Sequence, residues 1–391
     1  MLYNDIRECI QEAVAQLLSI GDWRRYEGKH TQALAEQLSP VMGQRFVQLA
    51  SSGTAALEII LRGAGIKAGD EVLLSAYDYP ENFWAIERAG ARPVLIDTLP
   101  ACWSLDQTVL SAAYQPTCKA LVASHLHGEL QSLSSLRAWC DEHQMLLIED
   151  ACQAIGGKHV GSRAPAGSLG HAAIISFGGG KVLSCGRGGA WGTSNDLLAQ
   201  RARIAAGAGS GPYGLSEIQA AIVLAQLPWL DAINRRCHEY FRAVNVQLAS
   251  AKCIWKCASG VAPDSDSSTS GFYQAGWLLP SVYAGRAEPG DQSPVLELVK
   301  CLRNSVHQDL DFSSPTSQTE VDTNIPFGIG FPGFHRRSSR RCRLSNSLTN
   351  AAIAAERTVV LHHSVALAER FSAEHIASRI MACDAFITAT P

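Results

Sequence analysis

The amino-acid sequence predicts an α/β fold in which helices cover both faces of a mainly parallel β-sheet. Between residues 50 and 195, short apolar runs alternate with segments of helical periodicity, as in sheets whose parallel strands are joined by crossover helices. The chain of 391 residues is 47% hydrophobic and 18% charged, a composition typical of globular proteins with a large buried core. This length allows two domains, and we expect a large one over residues 1–245 and a smaller one over 246–391.

Each predicted strand is a mostly apolar run that ends at a turn or a polar residue. The predicted strands cover residues 71–76, 93–97, 120–125, 145–150, 172–177 and 189–193. Helical periodicity predicts helices over residues 55–63, 81–89, 105–113 and 133–143 between the strands, and over 197–206 and 215–234 after them, the last running on towards residue 250.

The first residues predict an amphipathic helix, because Ile6, Ile10 and Leu17 fall on one helical face. Charged residues interrupt this segment, so we expect no signal peptide there, and no run approaches the roughly 18 apolar residues of a membrane span. The twelve scattered cysteines include no C-x-x-C pair and indicate reduced, mostly buried thiols. A net charge of −3 gives no reason to expect nucleic acid or a membrane as partner, so the sequence predicts a cytoplasmic protein that binds small molecules.

The region after residue 250 is less regular and predicts a smaller α+β domain. Residues 259–271 are rich in Ser, Asp, Gly and Pro, which is typical of a loop, and residues 304–333 show little periodicity. Helical patterns return at residues 345–357 and 373–382.

An acidic residue and a lysine follow the ends of two neighbouring predicted strands. Asp150 ends the apolar run 146–150, and Lys181 follows the glycine-rich run 176–180. In mainly parallel sheets, ligands bind beyond the carboxyl ends of the strands. An enzyme that uses pyridoxal 5′-phosphate (PLP) needs a lysine to form an imine with the cofactor aldehyde, and a carboxylate to keep the pyridine nitrogen protonated. This pairing therefore predicts a PLP site.

Small residues near these strand ends predict a site for the cofactor phosphate. The turn Ser51-Ser52-Gly53-Thr54 precedes a predicted helix, so its free backbone amides and the Thr54 hydroxyl are available to an anion; an ordinary N-cap is the alternative. Ser176 offers a second hydroxyl, and the glycines that follow allow close approach of the backbone to a bulky ligand. Gln153 is placed to reach the cofactor's phenolic oxygen.

Seven motifs occur together in a recognisable order: Ser-Ser-Gly-Thr-Ala-Ala-Leu (51–57), Gly-Asp-Glu-Val (69–72), Gly-Ala-Arg-Pro-Val-Leu-Ile-Asp (90–97), Ile-Glu-Asp-Ala-Cys-Gln-Ala (148–154), Ser-Phe-Gly-Gly-Gly-Lys (176–181), Gly-Gly-Ala (188–190) and Leu-Ser-Glu-Ile-Gln-Ala-Ala (215–221). With them the chain resembles the DegT/DnrJ/EryC1/StrS family of PLP-dependent aminotransferases, which act on sugars and cyclitols. The resemblance is strong over residues 15–245 and weak beyond.

The resemblance implies a fold-type-I PLP enzyme that works as a homodimer with a shared active site. Lys181 would form the Schiff base, and Asp150 would pair with the pyridine nitrogen. The other implied cofactor contacts are Gln153 with the phenolic oxygen, Gly53, Thr54 and Ser176 with the phosphate, and Tyr79 stacked on the ring. By family, the amino donor is glutamate or glutamine, and the acceptor is a keto-sugar, with or without a linked nucleotide, or a keto-cyclitol.

Further side chains are candidates for substrate contacts. The run His125-Leu126-His127-Gly128-Glu129 places two imidazoles and a carboxylate on one strand face; we predict no metal there, because the family has a similar segment beside the cofactor, and we place His125 or His127 near the active site. Arg187 stands where the family commonly has an acidic residue, so substrate contacts are expected to differ there. In the basic segment, residues 334–343, His335 and Arg336 are predicted to bind a substrate phosphate or carboxylate, with a solvated surface as the alternative.

The sequence thus predicts an aminotransferase of secondary metabolism or surface-glycan synthesis, and two alternatives stay open. One is a non-catalytic, PLP-binding regulatory or assembly protein on the same scaffold, because a fold does not fix a function. The other is a PLP enzyme for a different reaction, such as elimination or decarboxylation. The lysine with its acidic partner favours catalysis, since a protein that only binds the cofactor needs no displaceable imine.

Overall fold

A computed structural model describes residues 2–159, 161–207, 211–253, 255–257, 273–281, 294–308, 327–334, 336–338, 340–367 and 371–389. The strands in this part of the chain are β1 (Phe46–Ala50), β2 (Glu71–Ser75), β3 (Arg92–Ile96), β4 (Cys118–Ser124), β5 (Leu146–Asp150), β6 (Ala172–Ser176), β7 (Gly189–Thr193), β8 (Lys256–Cys257), β9 (Gln274–Leu278), β10 (Phe327–Ile329), β11 (Arg343–Leu344) and β12 (Thr358–His362).

The α-helices within the same residues are α1 (Leu2–Ile20), α2 (Lys29–Met42), α3 (Gly53–Gly63), α4 (Pro80–Arg88), α5 (Leu110–Ala113), α6 (Ser134–Glu142), α7 (Asp196–Ala206), α8 (Glu217–Gln226), α9 (Leu230–Ser250), α10 (Pro294–Gln308), α11 (Thr349–Arg357), α12 (Ser364–Leu367) and α13 (Ala373–Ala389). Single turns of 3₁₀-helix occur at Asp22–Arg24, Gln107–Val109 and Leu227–Trp229. None of the helices in the described part of the chain has the length and apolar character needed to cross a lipid bilayer.

The larger sheet has, among the described residues, eight strands in the order β1-β7-β6-β5-β4-β2-β3-β11. Neighbours from β6 to β11 pair in parallel, and β7 runs antiparallel to both β1 and β6. Strands β2, β4 and β5 are almost entirely buried, because helices pack on both faces of the sheet. This architecture confirms the predicted α/β fold with a mainly parallel central sheet.

The smaller sheet is antiparallel and has the order β10-β12-β9-β8 within the described residues. It belongs to the less regular second part of the chain, for which the sequence predicts an α+β arrangement. Strand β11, however, pairs with β3 of the larger sheet, so this part of the chain also contributes to the larger sheet. The boundary at residue 245 stays a prediction.

Several predicted bounds need correction. The helix predicted over 105–113 is a 3₁₀ turn followed by the short helix α5, and the helix predicted over 215–250 is divided by the 3₁₀ turn that contains Pro228. Proline lacks the backbone N–H that a continuous helix requires. The weakly periodic stretch 304–333 contains the end of α10 and the strand β10, while 309–326 and the predicted loop 259–271 lie outside the described residues.

The carboxyl ends of four parallel strands form one edge of the larger sheet. Strands β2, β4, β5 and β6 end at Ser75, Ser124, Asp150 and Ser176, and Ser124 stands directly beside Asp150 in the register of β4 and β5. The side chains that carry the predicted chemistry therefore converge at this edge, where ligands bind in sheets of this type.

Candidate active site

Asp150 is a buried carboxylate at the end of β5, with only 4% of its surface exposed. Its Oδ2 accepts a hydrogen bond from Nδ2 of Asn82 at 2.7 Å and lies 3.5 Å from Oγ of Ser124. Its Oδ1 accepts from the backbone N–H of Cys152 at 2.9 Å. Because all three partners are neutral, the buried charge is only partly stabilised, and a cationic ligand at this position would complete its pairing.

Lys181 follows β6 and is half-buried. Its Nζ lies 4.0 Å from the centre of the Tyr273 ring and 5.9 Å from that of Tyr79. Burial lowers the pKa of Lys181, while the nearby Cys152 and Asp150 act in the opposite direction. A lowered pKa increases the fraction of neutral amine, which is the form that attacks a carbonyl carbon.

The loop that carries Lys181 is fixed by the end of the smaller sheet. Nε2 of His362 lies 2.9 Å from the carbonyl oxygen of Gly180, and Nδ1 of His363 lies 3.0 Å from that of Tyr273. Burial, and next the neighbouring His362, lower the pKa of His363 to about 3, so its ring is neutral. The second part of the chain thus positions both the lysine loop and the aromatic ring over the amine.

The turn before α3 packs against Ser176, so the predicted phosphate contacts meet in space. A Cβ on Gly53 would come 2.8 Å from Sγ of Cys152 and 3.0 Å from Cβ of Ser176, and a Cβ on Gly189 would come 2.6 Å from the Gly53 nitrogen. Glycine at both positions allows this close approach of turn and strand. The first turn of α3, which contains Thr54, therefore opens towards Ser176.

The N-cap alternative for this turn also holds, at Ser52. Its Oγ accepts from the backbone N–H of Ala55 at 3.0 Å. The N–H groups of Gly53 and Thr54 have no acceptor inside an α-helix, and together with the helix dipole they form a site suited to an anion.

Gln153 is buried and contacts His127 rather than His125. The Gln153 amide oxygen accepts from the His127 backbone N–H at 3.2 Å, and Nε2 of His127 lies 2.9 Å from the Tyr77 hydroxyl. Burial, and next the charge of Lys181, lower the pKa of His127 to about 3, so this ring stays neutral. Among the described residues, its Nδ1 is buried without a hydrogen-bond partner.

His125 instead belongs to a separate buried cluster around Glu149. Nε2 of His125 lies 2.8 Å and Nε2 of His159 lies 3.4 Å from Oε1 of Glu149. Nδ1 of His125 accepts from the backbone N–H of Gln131 at 3.1 Å, so its Nε2 carries the hydrogen that Glu149 accepts. This group, and not the pair of His125 and His127, brings possible metal ligands together, and its hydrogen bonds account for His125 without an ion.

The arginines of the basic segment contact acidic and aromatic side chains at the edge of the larger sheet. Arg343 holds Glu71 through two contacts, of 2.9 and 2.7 Å, and the hydrogen bond from Arg343 lowers the pKa of Glu71. Arg341 pairs with Glu87 and lies 4.4 Å from the centre of the Trp84 ring. These two arginines therefore hold the basic segment beside β3 through ion pairs with Glu71 and Glu87.

The remaining substrate predictions fall on exposed or undescribed residues. Arg336 has 81% of its side chain exposed, and its Nη2 lies 3.3 Å from Glu356. Arg187 is exposed, and its carbonyl oxygen accepts from Nε2 of Gln219 at 2.7 Å. His335 lies outside the described residues. The assignment of substrate contacts to these three residues and to His125 stays a prediction.

Four residues of this site were not selected by any sequence pattern: Asp78, Asn82, Ser124 and Tyr273. Ser124 ends a parallel strand as Asp150 does, so the rule that selected Asp150 would also have found it. Asp78 and Asn82 lie in the connection after β2 and at the start of α4, where nothing in the local sequence indicates which strand end they face. Tyr273 comes from the second part of the chain and reaches Lys181 only through the tertiary fold.

Comparison with known proteins places the chain among aminotransferases. The model of the DegT/DnrJ/EryC1/StrS aminotransferase family matches residues 4–275. The chain is 33% identical over 221 residues to GDP-perosamine synthase of Caulobacter vibrioides, which covers 54% of this chain and 59% of that protein. It is 31% identical over 265 residues to L-glutamine:2-deoxy-scyllo-inosose aminotransferase of Streptoalloteichus tenebrarius, which covers 61% and 62%. The matched region thus spans about three fifths of the length of each relative.

Solved structures extend the likeness over nearly the whole chain. The crystal structure of the aminotransferase TlmJ from Streptoalloteichus hindustanus is similar to this chain with a TM-score of 0.79 over 97% of each, at 23% identity. At this identity the similarity establishes the fold, and it confirms the predicted α/β architecture.

Proposed function

Because the chain belongs to the DegT/DnrJ/EryC1/StrS aminotransferase family, we propose that it transfers an amino group from glutamate or glutamine to a keto-sugar or a keto-cyclitol, with PLP as cofactor. The observation that carries the proposal is the meeting of three groups at one sheet edge. These are a lysine of lowered pKa, a buried carboxylate with only neutral partners, and a glycine-lined helix N-terminus.

The residues present fit PLP at each of its polar positions. The first turn of α3 and Ser176 suit the phosphate, since glycine at positions 53 and 189 lets the turn pack closely against the strand end that carries Ser176. Asp150 suits the protonated ring nitrogen, because it is buried and its hydrogen-bond partners among the described residues are neutral. Gln153 suits the phenolic oxygen, and Lys181 suits the aldehyde. Tyr79, with 42% of its surface exposed, stands on the open side of the lysine and suits the face of the ring.

When bound, PLP supplies an aldehyde for covalent attachment and a ring that withdraws electrons from the donor's α-carbon. The protein supplies the rest. Lys181 would hold the cofactor aldehyde, and its Nζ would serve as the base towards the hydrogen on the donor's α-carbon. Burial beside the Tyr273 ring lowers the pKa of Lys181 and so increases the fraction of neutral amine. Asp150 would hold the protonated ring nitrogen, which is the state in which the ring would supply its electron-withdrawing chemistry.

The identity of the substrates is proposed from the relatives. One relative bears the name of a GDP-sugar synthase and another the name of a glutamine-dependent cyclitol aminotransferase, so both acceptor classes stay open. Arg187 and Arg336 are proposed to contact substrate, and Arg187 has the better position, only six residues after Lys181 in the sequence.

We also propose a homodimer that closes this site. Tyr79 is exposed beside Lys181, and apolar side chains are exposed near the first helix, among them Tyr3, Leu18 and Trp23. Such surfaces are typical of interfaces between copies of a chain. Light scattering should give twice the mass of the chain, and a monomeric active enzyme would refute this part of the proposal.

An absorbance titration tests the function. The purified protein loaded with PLP should show the near-visible band of a lysine-bound cofactor, and addition of glutamate or glutamine should convert it to the band of pyridoxamine phosphate. A cofactor band that no amino acid changes would instead support a non-catalytic PLP-binding protein. Release of carbon dioxide or ammonia from the donor would indicate a PLP enzyme of another reaction class.

A further inference from the structure

A second buried carboxyl, Asp78, lies beside Asp150 and shares its neighbours. Asp78 is fully buried in the connection after β2. Oγ of Ser124 is 2.8 Å from Oδ2 of Asp78 and 3.5 Å from Oδ2 of Asp150. Nδ2 of Asn82 is 3.2 Å from Oδ1 of Asp78 and 2.7 Å from Oδ2 of Asp150. One hydroxyl and one amide therefore connect two acidic groups.

If both carboxyls are ionised, Asn82 and Ser124 together have one hydrogen too few to donate in every contact that they make with a carboxylate oxygen. The Asn82 amide has two hydrogens, one for each carboxyl, but Ser124 has a single hydrogen and two carboxylate oxygens beside it. Two unscreened negative charges in contact with the same side chains also repel strongly at low dielectric. One proton on Asp78 removes both problems, because Asp78 then donates to Ser124 and the Ser124 hydroxyl is free to donate to Asp150.

The opposite assignment, with the proton on Asp150, is less favourable. Oδ1 of each carboxyl accepts from one backbone N–H, that of Cys152 for Asp150 and that of Tyr79 for Asp78, so the backbone does not distinguish them. The Asn82 amide does, because it lies closer to Asp150. Protonation would also remove the charge from the carboxyl that faces the lysine and the proposed ring nitrogen. Asp78 is more deeply buried and farther from its amide partner, so it is the better place for the neutral form.

We propose that Asp78 is a positioning residue that holds a proton and, through Ser124, directs a hydrogen bond to Asp150, which keeps the negative charge. The role of Asp150 towards the cofactor rests on the proposed function, but the sharing of the proton between the two carboxyls does not. The other titratable groups that face Asp78 are Tyr77 in the same connection and Cys152 after β5, while Lys181 faces Asp150 and Cys152. Burial, and next the charge of Asp150, raise the pKa of Asp78 to about 8.

The proposal gives the protein a defined pH dependence even without cofactor. Since the pKa of Asp78 is higher in the folded than in the unfolded chain, the folded state binds the extra proton between about pH 4 and pH 8. The contribution of Asp78 to stability is therefore present at low pH and is lost as pH rises through about 8. Asp78→Asn, which is neutral at every pH, should remove this dependence.

Infrared spectroscopy of the cofactor-free protein tests where the proton lies. At about pH 6, where ordinary carboxyls are ionised, the wild type should show the carbonyl stretch of a protonated carboxyl that disappears with a midpoint near pH 8, and Asp78→Asn should lack this band. Asp97→Asn is the matched control and should keep the band, because buried Asp97 is held by the backbone N–H groups of Thr98, Asn350 and Ala351. If Asp78→Asn does not fold, Asp78→Ser serves in its place.

Two infrared results would overturn the proposal. One is the absence of the band in the wild type at about pH 6, where ordinary carboxyls are ionised. The other is a band that Asp150→Asn abolishes and Asp78→Asn retains, since the proton would then reside on Asp150. Neither result depends on whether the protein is an aminotransferase.

A second measurement tests the link to the site. The absorbance of bound PLP should change with pH in a step near 8 in the wild type, and the step should be absent in Asp78→Asn. A step of the same size and midpoint in Asp78→Asn would refute the link between Asp78 and Asp150. Failure of the wild type to bind PLP at all would refute the proposed function, and the infrared result would still decide the place of the proton.

Discussion

Glu149 and Asp150 are adjacent in β5, yet they lie in two environments of opposite character. Glu149, in what we call the Glu149 pocket, receives hydrogen bonds from His125, His159 and three backbone N–H groups of the loop 167–170. Asp150, in the Asp150 pocket, receives them from the neutral Asn82 and Cys152 groups, and a second carboxyl stands beside it.

The difference shows how to separate a structural carboxylate from a functional one. Burial alone would raise the pKa of Glu149, but hydrogen bonds from His125 and His159 together hold it well below its usual range. Its charge is satisfied by the protein itself. Asp150 is also buried but accepts fewer hydrogen bonds, and a buried charge of this kind needs a cationic ligand to pair with it. Both residues are buried carboxylates, and they differ in how many hydrogen-bond donors surround them.

The largest expected effect is on the reaction, from Asp150→Asn. The rate of the half-reaction with glutamate or glutamine should fall by about 10⁴-fold, equivalent to about 5 kcal/mol, because the ring nitrogen loses its anionic partner. The cofactor-free variant should be no less stable than the wild type, since it removes a buried charge whose hydrogen-bond partners are neutral. Stopped-flow absorbance and urea unfolding measure the two properties. If Asp150→Asn reacts at the wild-type rate, Asp150 is not the functional carboxylate of the pair with Glu149.

Glu149→Gln should have the opposite outcome, with a loss of stability rather than of chemistry. Removing this buried charge leaves several donors of the Glu149 pocket without an acceptor, and the free energy of unfolding should fall by about 3 kcal/mol. Urea unfolding of the cofactor-free protein measures it. Because the folded-state pKa of Glu149 is lowered, the advantage of the wild type should be present above about pH 4.5 and shrink as pH falls.

Gly189→Ala tests whether the proposed anion site, formed by the first turn of α3 and Ser176, requires glycine at position 189. The added Cβ would stand 2.6 Å from the Gly53 nitrogen, so the turn must shift, and PLP affinity should fall by about 10- to 100-fold, or about 1 to 3 kcal/mol. Gly179→Ala is the control, because a Cβ there has its nearest neighbour at 3.8 Å. Equal PLP affinities of the two variants, measured by fluorescence titration, would show that the anion site does not require Gly189.

The smallest expected effects come from the basic segment. Arg343→Met should lower the free energy of unfolding by about 1 kcal/mol, since it removes a two-contact ion pair with Glu71 that is largely buried. Arg336→Ala should leave stability unchanged because its side chain is exposed. If Arg336→Ala and Arg337→Ala also leave the Michaelis constants for both substrates unchanged, the proposed substrate contact of Arg336 fails.

Sequence patterns sufficed for the parts of the molecule in which neighbours in sequence are neighbours in space. All six predicted strands are present within two residues of their expected bounds, and those of β7 agree at both ends, because strand burial and turn residues act locally. The pairing of β11 with β3 brings together residues about 250 apart, and no local pattern specifies it. Helix α2 was likewise not predicted, and it contains Pro40, a residue that usually ends a helix. The strands of the smaller sheet, which are two to five residues long, were not predicted either.

The same limit applies to the site. Strand ends pointed to Asp150 and Ser176, and the glycine-rich run pointed to Lys181, because each motif is contiguous. His125 or His127 was predicted to lie near the active site, and the motif alone could not choose between them: the His125 ring contacts Glu149, whereas His127 contacts Gln153. Asp78 and Tyr273 come to the site from distant connections, so only the tertiary structure identifies them.

The central claim is that Lys181, opposite Asp150, binds the cofactor covalently. Reduction of the PLP-loaded protein with borohydride, followed by proteolysis and mass mapping, tests it directly. We expect a single pyridoxyl label on the peptide that contains Lys181 and none in Lys181→Ala. A label on another lysine, or an unlabelled protein after reconstitution with fresh PLP, would contradict the account.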